Sequence, residues 1–142
     1  MQEKRLLSPE EITRTMLAND RFSQWLGIEI METKLDYCRL KMIIRQEMLN
    51  GMQKAQGGIT FSFADSCFAF ASNTRGKKSV SIEASINHIE ALDLGDVITA
   101  EAQLERVKKK LGFYTVRVCK EEKLVALFKG VVYRTAVDWV HQ

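Results

Sequence analysis

The run Gly57-Gly58-Ile59-Thr60-Phe61-Ser62-Phe63-Ala64-Asp65-Ser66-Cys67-Phe68-Ala69-Phe70-Ala71 decides the fold. It is apolar on nearly every side, and a helix of that kind is buried rather than laid on a surface. Two features interrupt it: a glycine pair at its start and one carboxylate, Asp65. An isolated aspartate in apolar surroundings is costly unless it is hydrogen-bonded, protonated or facing a wet cavity. Asp65 therefore marks where chemistry is expected.

Upstream, Ser8-Pro9-Glu10-Glu11 starts a helix. Ser8 can cap the Glu11 amide, Glu11 can reach back, and Pro9 sits where a missing N–H is harmless. A second short helix runs from about Asp20 to Gly27, with Phe22, Trp25 and Leu26 as its packing side. This helical segment spans about residues 8–27. Ile28–Thr33 and Cys38–Ile44 read as strands around a turn near Asp36, and 45–56 as a loop. The buried helix extends to about Asn73, and Arg75-Gly76-Lys77-Lys78 reads as a turn.

Four strand-like runs follow: Val80–Ile89, Asp96–Lys108, Gly112–Lys120 and Leu124–Thr135. In the first, Val80, Ile82, Ala84 and Ile86 are expected to share one face. The connections are too short for helical crossovers, so neighbouring strands should be antiparallel. The only proline is Pro9, so none interrupts a strand. The expected class is α+β: about six antiparallel strands wrapped around one long central helix, with short N-terminal helices, in one domain over residues 1–142.

The net charge of +3 is too small to suggest a nucleic-acid partner. Met1-Gln2-Glu3-Lys4-Arg5-Leu6-Leu7 lacks the apolar core of a signal peptide, and no apolar run reaches membrane-spanning length. Three scattered cysteines, Cys38, Cys67 and Cys119, fit neither a disulfide framework nor a zinc spacing, so a cytoplasmic setting is expected. No metal site is expected from His88 and His141, the two histidines. His88, in phase with Ala84 and Ile86, reads as a satisfied, partly buried imidazole, and Cys67 as an inert buried thiol. There is no Gly-x-Ser-x-Gly elbow and no glycine-rich phosphate loop.

Helix starts carry unsatisfied N–H groups and partial positive charge. Glycines there allow a carbonyl to approach, so Gly57 and Gly58 suit an oxyanion hole. Asp65 is eight residues on, about 12 Å along a helix, too far to meet an oxygen held at Gly57 of the same chain. Two antiparallel copies about a two-fold axis would join Gly57 of one to Asp65 of the other.

Asn50-Gly51, Gln56-Gly57-Gly58, Ala64-Asp65-Ser66 and Phe68-Ala69-Phe70-Ala71-Ser72-Asn73 resemble the hotdog-fold thioesterases. The phenylacetyl-CoA thioesterase branch is the nearest, with Gly95-Asp96, Tyr114 and Val125-Ala126-Leu127-Phe128-Lys129-Gly130 matching its later strands. The resemblance implies hydrolysis of acyl-CoA thioesters of aryl or medium-chain acids, by dimers or dimers of dimers. It implies no cofactor beyond the coenzyme A of the substrate. It assigns the oxyanion donor to Gly57, the general base or nucleophile to Asp65, and placement of the attacking water to Asn50 and Ser81. Gln56 and Met52 stand where the family usually has histidines, and Glu90-Ala91 where it often has a basic residue and proline. Gln56 can donate a hydrogen bond but cannot carry a proton.

Arg75, Lys77 and Lys78, with Gly58, are the candidate substrate contacts, the cations for the phosphates of coenzyme A; Lys108-Lys109-Lys110 is a second basic cluster. Phe61, Phe63, Phe68, Phe70 and Met52 are candidate acyl-pocket linings. Each residue also has a plain structural reading. Asp65 would cap a core group, the glycine pair would serve close packing, and Asn50-Gly51 would be an ordinary turn. Gln56 would merely begin the helix, Ser81 would face solvent, and the cations would be a solvated turn. Two other functions fit the same scaffold: a module that holds acyl-CoA without cleaving it, and an acyl-thioester dehydratase.

Overall fold

The computed structural model describes residues 3–141; Met1 and Gln2, part of the leader reading, and Gln142 lie outside the described residues. The chain runs α1 (Pro9–Asn19), α2 (Arg21–Leu26), β1 (Glu29–Lys34), β2 (Tyr37–Ile43), α3 (Gly57–Asn73), β3 (Lys77–His88), β4 (Val97–Lys108), β5 (Leu111–Lys120) and β6 (Lys123–Asp138). One short 3-10 turn, Gln46–Met48, lies within the 45–56 loop.

The helix signals act as the sequence says. The Glu11 amide donates to Ser8 Oγ at 3.2 Å and the Ser8 amide to Glu11 Oε2 at 2.9 Å, a reciprocal cap on α1. Asp20 caps α2 by accepting from the Ser23 amide at 2.9 Å. Gly27 ends α2 with φ at +76°, a left-handed conformation that suits glycine.

The six strands form one sheet in the order β1-β2-β4-β5-β6-β3, antiparallel at every pairing. The sheet carries α3 on its apolar face, as the hotdog resemblance implies. Leu40 pairs with Ala100, Ala100 with Val118, and Val118 with Ala126, so large and small buried side chains alternate beneath the helix. From α3, Phe63, Ala64, Cys67, Phe68, Phe70 and Ala71 complete the core.

Five expectations are corrected here. Lys77 and Lys78 belong to β3 rather than to a turn, because β6 continues to Asp138 and pairs with Lys77. Val80 and Ile82 do not share a face with Ala84 and Ile86. A register shift between Ser81 and Glu83 breaks the alternation, so Ala84 and Ile86 pack on the core while Val80 and Ile82 are 52% and 57% exposed on the sheet's edge strand. Phe22 and Trp25 stack on each other and stay about half exposed, leaving Leu26 as the buried anchor of α2. Phe63, Phe68 and Phe70 are wholly buried core residues, and Met52 is 78% exposed, so of the proposed linings only Phe61 is half-buried. His88, expected partly buried, is exposed.

Candidate active site

The surface-reaching side of α3 is a narrow stripe. Gly58, Ser62, Asp65 and Ala69 follow helical spacing, and all but the exposed Gly58 are half-buried. Asp65 sits in the middle of this stripe. Burial pushes its carboxyl above the ordinary aspartate range, and the neighbouring Asp20 carboxylate pushes it further the same way. Asp20 is held in place: Ser23 Oγ donates to its Oδ2 at 2.5 Å, and Ser23 Oγ lies 2.8 Å from the buried Ser66 Oγ on α3. The middle of α3 and the N-terminal helices are thus tied by hydroxyls beside Asp65. Sequence reasoning missed Asp20, whose proximity depends on tertiary packing.

At the start of α3, Gln56 occupies the cap position with an extended backbone (φ −58°, ψ 135°) and no side-chain capping bond. Its own amide donates to Met48 O at 2.8 Å. The glycine pair divides two cavities. Gly57 and Thr60 face one of about 240 Å³, shared with Ala55, His88, Ile89 and Leu92. Gly58, Gln56 and Ser62 face a groove of about 440 Å³, shared with Phe22 and Met48. A β-carbon on Gly57 would stand 3.2 Å from His88 Nε2, so glycine permits this close approach.

The other candidates fall elsewhere. Asn50 Oδ1 accepts from the Met52 amide at 2.9 Å and the Lys54 amide at 3.2 Å, holding the 50–54 turn. Ser81 is exposed on the β3 edge, seven residues before His88, hence about 23 Å along the strand from the Gly57 end. Arg75, Lys77 and Lys78 follow the far end of α3. The Arg75 guanidinium grips Asp36 with Nε at 2.8 and 3.0 Å from its two oxygens, Lys77 pairs with Asp138 at 2.5 Å, and Lys78 Nζ lies 4.7 Å over the Trp139 ring. Within one chain, then, the structure brings together Gly57, Gly58 and Gln56, and separates them from Asp65, Ser81 and the cations.

Cys67 is fully buried with its Sγ donating to Cys38 O at 3.2 Å, and burial pushes its thiol well up, as an inert thiol requires. Among the described residues no three His, Cys, Asp or Glu side chains gather as a metal-holding group, and no helix is long and apolar enough to cross a membrane.

The chain is similar to known proteins over most of its length. The thioesterase superfamily matches residues 55–127, which contain the glycine pair, all of α3 and β3 to β5. A protein of Archaeoglobus fulgidus is 37% identical over 92% of this chain and 85% of its own length. The acyl-coenzyme A thioesterase PaaI of Escherichia coli is 35% identical over 84% of this chain and 86% of its own. The solved structure of the E. coli PaaI protein from the phenylacetic acid degradation operon superposes with a TM-score of 0.89, covering 92% of this chain and 95% of that one at 32% identity. A mutant of the phenylacetic acid degradation protein PaaI from Thermus thermophilus gives 0.79, with 82% and 100% covered at 33% identity.

Proposed function

This chain belongs to the thioesterase superfamily, and from that premise we propose that it hydrolyses acyl-CoA thioesters to a free acid and coenzyme A in the cytoplasm. The observation that carries the proposal is Asp65: a half-buried carboxylate, raised in pKa by burial, on a helix most of whose residues are buried. Such a group is a better base at neutral pH than an exposed aspartate. The E. coli relative's name supports the substrate class, and its operon favours a phenylacetyl or similar aryl group.

In this reading the thioester oxygen accepts from the Gly57 N–H at the helix start, and Gly58 leaves room for the acyl-CoA. One such donor is worth about 2.7–4 kcal/mol once the oxygen becomes an oxyanion. Asp65 either takes a proton from the attacking water or attacks the carbonyl carbon itself. The C–S bond then breaks, and coenzyme A leaves as a thiolate that takes up a proton. On the second route a mixed anhydride with Asp65 forms and water then hydrolyses it to the free acid and the carboxylate, so solvent oxygen-18 enters the Asp65 carboxylate only there. Asn50 and, from the copy that supplies Asp65, Ser81 complete the placement of water, and Gln56 meets the substrate from the Gly58 side of the helix start. The reaction so written needs no metal or cofactor.

Gly57 and Asp65 stand eight residues apart on one rigid helix, about 12 Å, whereas attack needs about 3–3.5 Å. The proposal therefore includes a homodimer, alone or paired into a tetramer, with each site built from Gly57 of one copy and Asp65 of the other. The half-exposed stripe on α3 and the apolar edge at Val80 and Ile82 suit that contact.

Release of free thiol from phenylacetyl-, benzoyl- and hexanoyl-CoA tests the proposal. Release that disappears in Asp65→Asn supports it, and release unchanged in that variant refutes it. Gln56 in place of a proton carrier favours a second reading, an acyl-CoA-binding module. Tight binding of the same compounds without thiol release would select that reading.

A further inference from the structure

His88 ends β3 with its imidazole over Gly57. Measured from the point a Gly57 β-carbon would occupy, Nε2 lies at 3.2 Å, Cε1 at 3.6 Å and Cδ2 at 3.9 Å. The ring thus presents its Nε2 edge to the glycine and keeps Nδ1 away from it. His88 and Gly57 also line the same cavity of about 240 Å³. Gln56, the side-chain donor next to the glycines in sequence, lines the other groove with Gly58. On the Gly57 side, Thr60 and Glu90 line the same cavity, and the side-chain atoms nearest the glycine's β-carbon position are those of His88.

We propose that His88 is a catalytic residue of this site: its Nε2–H donates a hydrogen bond to the same thioester oxygen that the Gly57 N–H holds. This rests on the thioesterase reading above. An oxygen within hydrogen-bonding distance of the Gly57 amide, on the cavity side, falls within reach of a ring whose Nε2 stands 3.2 Å from where that residue's β-carbon would be. Neutral imidazole suffices, provided the proton sits on Nε2. Two donors on one oxygen, one of them from the backbone, form the arrangement that stabilises the charge developing as water adds. Gly57 then has two tasks: it supplies an amide, and by lacking a side chain it lets the imidazole approach.

The test compares wild type, His88→Phe, His88→Gln and Asp65→Asn in the thiol-release assay, with thermal melting as the check on folding. His88 is exposed at a strand end, so neither of its substitutions removes core packing. His88→Phe should lower kcat by about 100-fold with KM within about twofold, and His88→Gln, which keeps an N–H donor, should recover to within about tenfold of wild type. A second readout does not need turnover. With only two histidines in the sequence, nitrogen-15 spectra resolve both rings, and His141→Ala assigns them. A ketone analogue of phenylacetyl-CoA, with a methylene between carbonyl and sulfur, should shift the His88 Nε2–H resonance and leave His141 in place. A His88→Phe variant with wild-type kcat, while Asp65→Asn is inactive, overturns the proposal and leaves the thioesterase reading standing. An analogue that binds without moving the His88 resonance overturns it as well, even if His88→Phe fails to fold. Wild-type protein that releases no thiol defeats both together.

Discussion

The ring of Phe68 stands 2.6 Å from the point that a β-carbon on Gly130 would occupy. Phe68 comes from the middle of α3 and Gly130 from β6, and the missing side chain lets the helix settle onto the sheet. The ring is held on its other sides by Tyr114 and Phe128, with centroids 5.8 and 5.5 Å away.

Gly130→Ala should therefore act as overpacking. Phe68 cannot yield toward Tyr114 or Phe128 without moving them, so stability should fall by about 1–3 kcal/mol. Urea unfolding would show this as a lower midpoint at unchanged slope. Combining it with Phe68→Leu should cost less than the sum of the two single changes, because the smaller side chain makes room.

The shared site gives a sharper prediction. Gly57 is the first residue of α3, and Gln56 before it is already extended at ψ 135°, a conformation that tolerates a following proline. Gly57→Pro deletes the amide donor at a helix position where proline is well accepted, and its β-carbon, 3.2 Å from His88 Nε2, also pushes the exposed imidazole aside. It should lower kcat by about 10²–10³-fold with the fold retained. Refolding Gly57→Pro together with Asp65→Asn should restore about a quarter of wild-type activity, since half the random dimers are mixed and each has one intact site. Activity that never exceeds that of the separate variants would show that each chain builds its own site.

Much of this was legible in the sequence because it is local. The reciprocal Ser8–Glu11 cap, the Gly27 helix stop, the all-round apolar α3 and the alternating strands are set by residues within a few positions of one another. What escaped depends on long-range pairing. The bulge at Ile82 comes from how β3 meets β6, and it exposes two residues that simple alternation would bury. A helix apolar on every side cannot announce which of its phenylalanines line a cavity, and three of the four turned out to be core. Asp20 beside Asp65 and His88 over Gly57 join segments 45 and 31 positions apart in the chain, with no spacing to reveal them.

Asp65 also makes a prediction about pH. Its carboxyl is raised above the ordinary aspartate value, first by burial and then by Asp20. For an acid raised in this way, the folded state binds more protons than the unfolded one across the interval between the two pKa values. Stability therefore falls as pH rises through that interval, and the loss persists above it. Asp65→Asn removes the ionisation, so at pH 7 it should melt above wild type, and the difference should vanish below about pH 4. Activity should run oppositely, rising with pH as Asp65 ionises. Asp20→Asn, which keeps a capping side chain, should shift that rise to lower pH. An acid limb unmoved by Asp20→Asn would separate the two carboxylates.

Coenzyme A brings a pyrophosphate and a 3′-phosphate, and the cations after α3 are the proposed contact. Two of the three are already committed: Arg75 to Asp36 and Lys77 to Asp138. Lys78 rests on the Trp139 face, an attraction of about 0.5–1 kcal/mol at an exposed site and weaker than a phosphate contact near other cations. Lys78→Ala should therefore raise KM several-fold for phenylacetyl-CoA and leave kcat unchanged. The same variant should handle phenylacetyl-pantetheine, which lacks the nucleotide phosphates, as wild type does. Added salt should erase the difference between Lys78→Ala and wild type on the CoA substrate, because exposed charge pairs are screened within about 8 Å at physiological ionic strength. Equal KM values for both proteins on both substrates at low salt would leave the phosphates to another part of the surface, with the Lys108–Lys110 turn the next cationic segment to test.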